Sequence, residues 1–136
     1  MIQMPSELSG GFVACIGCGY WGKNLVRSFA GLGALGAVSD ADPQLAASMS
    51  ETYGVPAYGF DAILASPRIR AVALATPASL HARHVAQALR AGKDVFVEKP
   101  LALTSADGRA LVRLAASHGR RLMVGHLLQY HPAFLE

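Results

Sequence analysis

Three short groups of residues in this chain carry side chains and spacings suited to chemistry. The first is Gly17-Cys18-Gly19-Tyr20-Trp21-Gly22, a glycine run with G-x-G-x-x-G spacing. Gly17 permits a tight turn, Gly19 has no Cβ to hold off a pyrophosphate, and Gly22 lets a following helix pack close to the preceding strand. Tyr20 and Trp21 would pack over such a loop while their amide N–H groups stay within reach of a phosphate. The second is Asp40, 18 residues beyond Gly22. There the same fingerprint asks for an acid to accept hydrogen bonds from an adenosine ribose. The third is Glu98-Lys99-Pro100, in which Lys99 is a cationic donor able to meet a substrate hydroxyl beside a nicotinamide. By hydrogen-bonding a developing alkoxide, such a lysine would lower the barrier to hydride loss from carbon.

These groups need strands and helices to hold them. The apolar run Phe12 to Ile16 reads as a strand feeding the glycine turn, and Lys23 to Ala30, with Leu25, Val26 and Phe29 at helical spacing, as the helix that follows. The phosphate would then face the positive end of that helix. Ala34 to Ser39 is a second strand delivering Asp40. Asp42-Pro43 caps a helix that Gly54 ends. Pro56 to Tyr58 reads as a brief third strand, followed by a short helix over 61–65. Arg70 to Ala75 is a buried strand ending in Thr76-Pro77, followed by a helix to Arg90. Asp94 to Val97 delivers Glu98. Thr104-Ser105-Ala106-Asp107 has the form of a capping box, and Arg121 to Gly125 is a sixth strand delivering His126. Six strands alternating with helices predict an α/β fold, a doubly wound parallel sheet of Rossmann type. Its ligand would lie across the carboxyl ends of the strands. The expected organisation is one dinucleotide-binding domain over 12–132, with a polar lead-in over 1–11.

Composition narrows the partners. Hydrophobic residues make up 52% and charged residues 15% of the 136 positions, which excludes a disordered chain and suits a sheet covered on both faces. The net charge of +3 comes from Arg and Lys scattered without a basic run, so nucleic acid is not an expected partner. No stretch is long and apolar enough to span a membrane, and the first residues lack a signal-peptide core, so the expected location is cytoplasmic. Cys15 and Cys18 form a C-x-x-C, but Cys15 falls inside a strand and Cys18 in the glycine turn. They read as small buried apolar residues, with no metal or redox role. His81 and His84, one helical turn apart, read as a solvent-facing pair. His126 stays open between cofactor contact and a structural role.

Taken together, Gly17 to Asn24, Ala75-Thr76-Pro77 with His81, and Glu98-Lys99-Pro100 resemble the N-terminal domain of the Gfo/Idh/MocA oxidoreductases, which act on sugars, inositols and related polyols. The wording of the glycine motif is most similar to the branch that oxidises position 3 of UDP-linked N-acetylated glucuronic acids. The resemblance implies Lys99 as the catalytic lysine and Glu98 as a holder of the nicotinamide ribose. It also implies a turn fixed at Pro100 through a cis peptide bond, Thr76 and Pro77 lining the cofactor, and His81 approaching it. The implied cofactor is NAD, with NADP disfavoured because a carboxylate at Asp40 repels a 2′-phosphate and Ala41 is not basic.

The chain also departs from that family. Members carry a second domain that supplies the substrate pocket, most of the oligomer interface and an Asp-x-x-x-His pair, and residues 133–136 read as only the start of the crossover to it. Where many members have Asn and Arg, this chain has Leu127 and Gln129. Two functions are therefore expected. One is an NAD-dependent oxidoreductase, or its cofactor half, acting on a sugar or nucleotide-sugar. The other is a dinucleotide-binding module without catalysis. A weak homo-oligomer, or a separate chain bringing the substrate domain, is the partner expectation.

Overall fold

The computed structural model describes residues 10–125, so His126 and the expected crossover lie outside the described residues. Five strands, β1 (Val13–Ile16), β2 (Leu35–Ser39), β3 (Ala71–Leu74), β4 (Asp94–Glu98) and β5 (Leu122–Gly125), form one sheet in the order β2-β1-β3-β4-β5. Every pairing is parallel. Five helices connect them: α1 (Gly22–Gly31), α2 (Pro43–Tyr53), α3 (Phe60–Ala65), α4 (Ala78–Arg90) and α5 (Ser105–Ser117). The expected third strand at Pro56 to Tyr58 is not a strand. It makes a single parallel bridge, Val38 to Ala57, held by Val38 N–H donating to Pro56 O and Tyr58 N–H donating to Val38 O. Pro56 has no N–H to extend a ladder.

Alternation along β1 shows the double winding. Ala14 and Ile16 belong to one apolar cluster, with Leu74, Val85, Leu89, Val97 and Leu111, under α4 and α5. Val13 and Cys15 belong to a second, with Val26 and Val38, under α1 and α2. Because side chains leave a strand on alternate faces, one short run feeds both layers. Each fully buried Leu or Val here contributes roughly 1.5–3 kcal/mol.

Helix ends follow the sequence signals. Asp42 accepts from Gln44 N–H at 2.9 Å, Pro43 opens α2, and Gly54 closes it at φ 67°. Thr104 accepts from Asp107 N–H at 3.1 Å at the start of α5. At the amino ends of the strands, the Lys93 ammonium is buried and donates to the carbonyls of Ser66 and Ile69 at 2.7 and 2.6 Å. Burial pushes its pKa down. A lysine directly after Gly92 gives no sequence signal of such a position.

Candidate functional site

A cleft of about 750 Å³ opens over the carboxyl ends of β1, β2 and β3. Gly17, Gly19, Tyr20, Trp21, Asp40, Thr76 and Pro77, all singled out by the sequence, line it. Gly17 adopts φ +92°, and a Cβ on it would stand 2.6 Å from Ala75 O. A Cβ on Gly22 would run into the Gly17 carbonyl, so these two glycines serve the turn itself. Gly19 differs: a Cβ there would meet no heavy atom within 4 Å and would project into open space. The loop is tied to its neighbours by Gly17 N–H donating to Ser39 O at 2.8 Å and by Ala75 N–H donating to Ile16 O at 2.8 Å.

Asp40 is fixed by this loop. Its Oδ2 accepts from Cys18 N–H at 2.6 Å and its Oδ1 from Asp42 N–H at 2.8 Å. Each carboxylate oxygen has lone-pair capacity left for a further donor. Cys18 also explains its own place in the motif, since its thiol lies 3.5 Å from Ser39 O and is buried. Both cysteines are free, and burial pushes the Cys15 thiol up to about 12 and the Cys18 thiol to about 11. Thiols held that far above neutral pH are poor nucleophiles.

Three helices begin at this cleft, at Trp21, Gly59 and Pro77, and none has a side-chain cap. At α1 the first turn also lacks an acidic residue. An uncapped N-terminus with partial positive charge beside an open glycine fits an external anion. Beyond Asp40 the wall turns apolar, through Ala41, Leu45, Phe60 and Leu80, and no Lys or Arg lies among the described lining residues. Tyr20 and Trp21 stand exposed at the rim, their rings edge to face at 5.4 Å, with Lys23 Nζ 5.5 Å from the Tyr20 ring centre. The residues present therefore fit a dinucleotide.

The two histidines of α4 part company. His84 lines the cleft, its ring 4.8 Å from Phe60 and its Nδ1 3.3 Å from Thr76 Oγ1. Burial, then the charges of Arg83 and His81, hold its pKa below the usual imidazole value. His81 is only 1% exposed, which overturns the solvent-facing expectation. It is not among the cleft-lining residues either: Nδ1 lies 2.6 Å from Pro100 O and Nε2 2.7 Å from Thr76 O, so its contacts are to main chain. His84 was missed because its cleft position depends on Phe60, which comes from a separate helix.

Lys99 is exposed in the turn after β4, outside the lining of this cleft, and the Lys99–Pro100 bond is cis as the resemblance implied. Glu98 is half-buried and leans towards β5, where a Cβ on Gly125 would stand 3.1 Å from its carboxylate. Among the described residues, no group of three or more His, Cys, Asp or Glu could hold a metal, and no helix is long and apolar enough to cross a membrane.

Residues 12–126 match the oxidoreductase family Gfo/Idh/MocA, NAD-binding Rossmann fold. The chain is 34% identical over 122 residues to an inositol 2-dehydrogenase of Rhizobium meliloti, covering 88% of this chain and 37% of that protein. UDP-N-acetylglucosamine 3-dehydrogenase GnnA from Acidithiobacillus ferrooxidans superposes with a TM-score of 0.85 at 30% identity, over 90% of this chain and 39% of that one. GenD2 of gentamicin A biosynthesis, solved with NAD, superposes at 0.87 and 29% identity over 99% of this chain and 40% of its own. Other solved relatives are NADP complexes. The chain thus spans less than half the length of these relatives.

Proposed function

The chain belongs to the Gfo/Idh/MocA oxidoreductase family, and from that premise we propose that its residues form the cofactor half of an NAD-dependent dehydrogenase acting on a hydroxyl of a sugar, inositol or nucleotide-sugar. The observation that carries this reading is the cleft itself, where an open Gly19 and an uncapped α1 stand beside an Asp40 carboxylate locked onto the glycine loop. The amides of Gly19 to Gly22 would hold the pyrophosphate, since those of Lys23, Asn24 and Leu25 already donate to Gly19 O and Trp21 O, and Asp40 would hold the adenosine ribose hydroxyls. Ala41, Leu45, Phe60 and Leu80 would face the base. The absence of Lys or Arg from the described lining, with Ala41 next to Asp40, supports NAD over NADP.

When bound, NAD supplies the acceptor for a hydride from the substrate carbon. Lys99 is proposed as the catalytic residue: its exposed amine, in the neutral form, takes the hydroxyl proton as hydride leaves the carbon, and as ammonium it then hydrogen-bonds the carbonyl oxygen that forms. Glu98 is proposed at the nicotinamide ribose, with Thr76 and Pro77 along the cofactor. Substrate recognition is proposed to come from residues outside the described ones. The relatives act on inositol and on UDP-N-acetylglucosamine by name, and the narrower UDP-uronic acid branch rests on the glycine motif alone.

Turnover is tested by following NADH formation with inositols and nucleotide-sugars. Lys99→Met is expected to lower turnover by about 100-fold or more, the scale of a lost transition-state donor, while NAD+ affinity stays within about twofold. Loss of affinity together with turnover would remove Lys99 from the catalytic role.

A further inference from the structure

We infer that His81 is a positioning residue that locks the cofactor-side loop after β3 to the Lys99 turn after β4. It sits in the first turn of α4, fully buried, with one ring nitrogen on each loop: Nε2 at Thr76 O and Nδ1 at Pro100 O. The two loops need such a link. The β3–β4 pairing runs from Ala71↔Asp94 to Leu74↔Val97 and ends there, while β4 stays paired with β5 through Glu98↔Gly125. Among the described residues, no backbone hydrogen bond outside the regular elements joins 75–77 to 99–101. Both partners are carbonyls, which only accept, so the link needs a hydrogen on each ring nitrogen; in that form one buried ring joins the loop that lines the cleft to the turn that presents Lys99.

The same helix strengthens one side of the link. One turn further on, the His84 ring reaches the Thr76 hydroxyl, so the backbone and side chain of Thr76 are both held from α4. Pro100, lacking an N–H, offers only its carbonyl, and the His81 ring takes it. A side chain that merely filled space between the loops would hold neither carbonyl. One that bridges them sets the separation between cofactor and Lys99. This part of the inference rests on the proposed function.

The two halves of the bridge are separable, because an Asn amide stands close to where Nδ1 was and a Gln amide close to where Nε2 was. His81→Asn should keep the Pro100 contact and lose Thr76, and His81→Gln the reverse. In His81→Gln, exchange of the Ala75 amide, whose partner is Ile16 O, should stay slow, and NAD+ affinity should stay within about twofold. Exchange at Val97 and Glu98, the last ladder residues before the Lys99 turn, should rise at least about fivefold, the factor for one hydrogen bond of ordinary strength. In His81→Asn the pattern should invert, with NAD+ affinity falling about fivefold or more. His81→Phe, which fills the space without a donor, should loosen both loops. Equal disturbance of both loops in the Asn and Gln variants would overturn the inference. Failure of the unaltered chain to bind NAD+ would instead count against the cofactor reading and leave the exchange comparison to decide the role of His81. If both variants unfold, the unaltered chain still decides. Both of its His81 ring N–H signals should be protected from exchange, one with Overhauser contacts to residue 76 and the other to residue 100, and a ring with only one such N–H would refute the bridge.

Discussion

Gly19 and Gly22 stand in one motif and answer to different constraints. A methyl on Gly22 would collide with the Gly17 carbonyl, whereas a methyl on Gly19 meets nothing in the protein. Gly22→Ala is therefore expected to cost about 1–3 kcal/mol or more of stability, read as a drop in Tm. Gly19→Ala should change stability by less than about 1 kcal/mol yet weaken NAD+ binding at least about tenfold, because the added carbon fills the anion cradle. Thermal melts beside NAD+ titrations separate the two, and a Gly19→Ala chain that binds like the parent would contradict the cradle. This motif and Asp40 were legible because glycine spacing and the distant acid are local, typed signals. His81 and His84 were not. What each ring touches is decided by Pro100, Thr76 and Phe60, which the fold alone brings to α4.

At the scale of elements, the two ends of the sheet do different work. At the carboxyl end, α1, α3 and α4 begin without side-chain caps and face the cleft, whereas α2 and α5 are capped by Asp42 and Thr104. At the amino end, Lys93 closes the turn between α3 and β3 through two carbonyls. Lys93→Met keeps the stem and leaves those carbonyls without their donor, so it should destabilise the chain by about 1–3 kcal/mol in urea titration. NAD+ affinity should be unaffected. A loss of affinity in a folded Lys93→Met chain would contradict this division of the sheet. Caps and strand runs were readable from the sequence, including Asp42-Pro43, Thr104 to Asp107 and the apolar β3. The expected strand at Pro56 to Tyr58 failed because Pro56 and Ala57 both disfavour strands and proline removes a donor that a ladder needs, leaving one bridge at Ala57. The buried Lys93 was hidden because lysine after a helix-ending glycine ordinarily points to water.

Across the whole molecule, a five-stranded parallel sheet with helices on both faces brings the loops after β1, β2 and β3 to one cleft and leaves the Lys99 turn one strand further along. The fold class was legible from the alternation of apolar strands and amphipathic helices. Any partner or substrate surface beyond this sheet was not, since these residues correspond to less than half of the relatives' length. Binding at the cleft should also stabilise the fold. NAD+ at about 100 times its Kd adds roughly 2.7 kcal/mol if the unfolded chain does not bind it.

The most direct measurement is a calorimetric titration of the chain and of its Asp40→Ala variant with NAD+ and, separately, with NADP+. The expected result is saturable NAD+ binding, NADP+ weaker by about tenfold or more, and NAD+ affinity lowered about tenfold or more in Asp40→Ala, the scale of a lost charged hydrogen-bond acceptor. No heat from either nucleotide, or NAD+ binding indifferent to Asp40, would mean that the cleft is not the dinucleotide site.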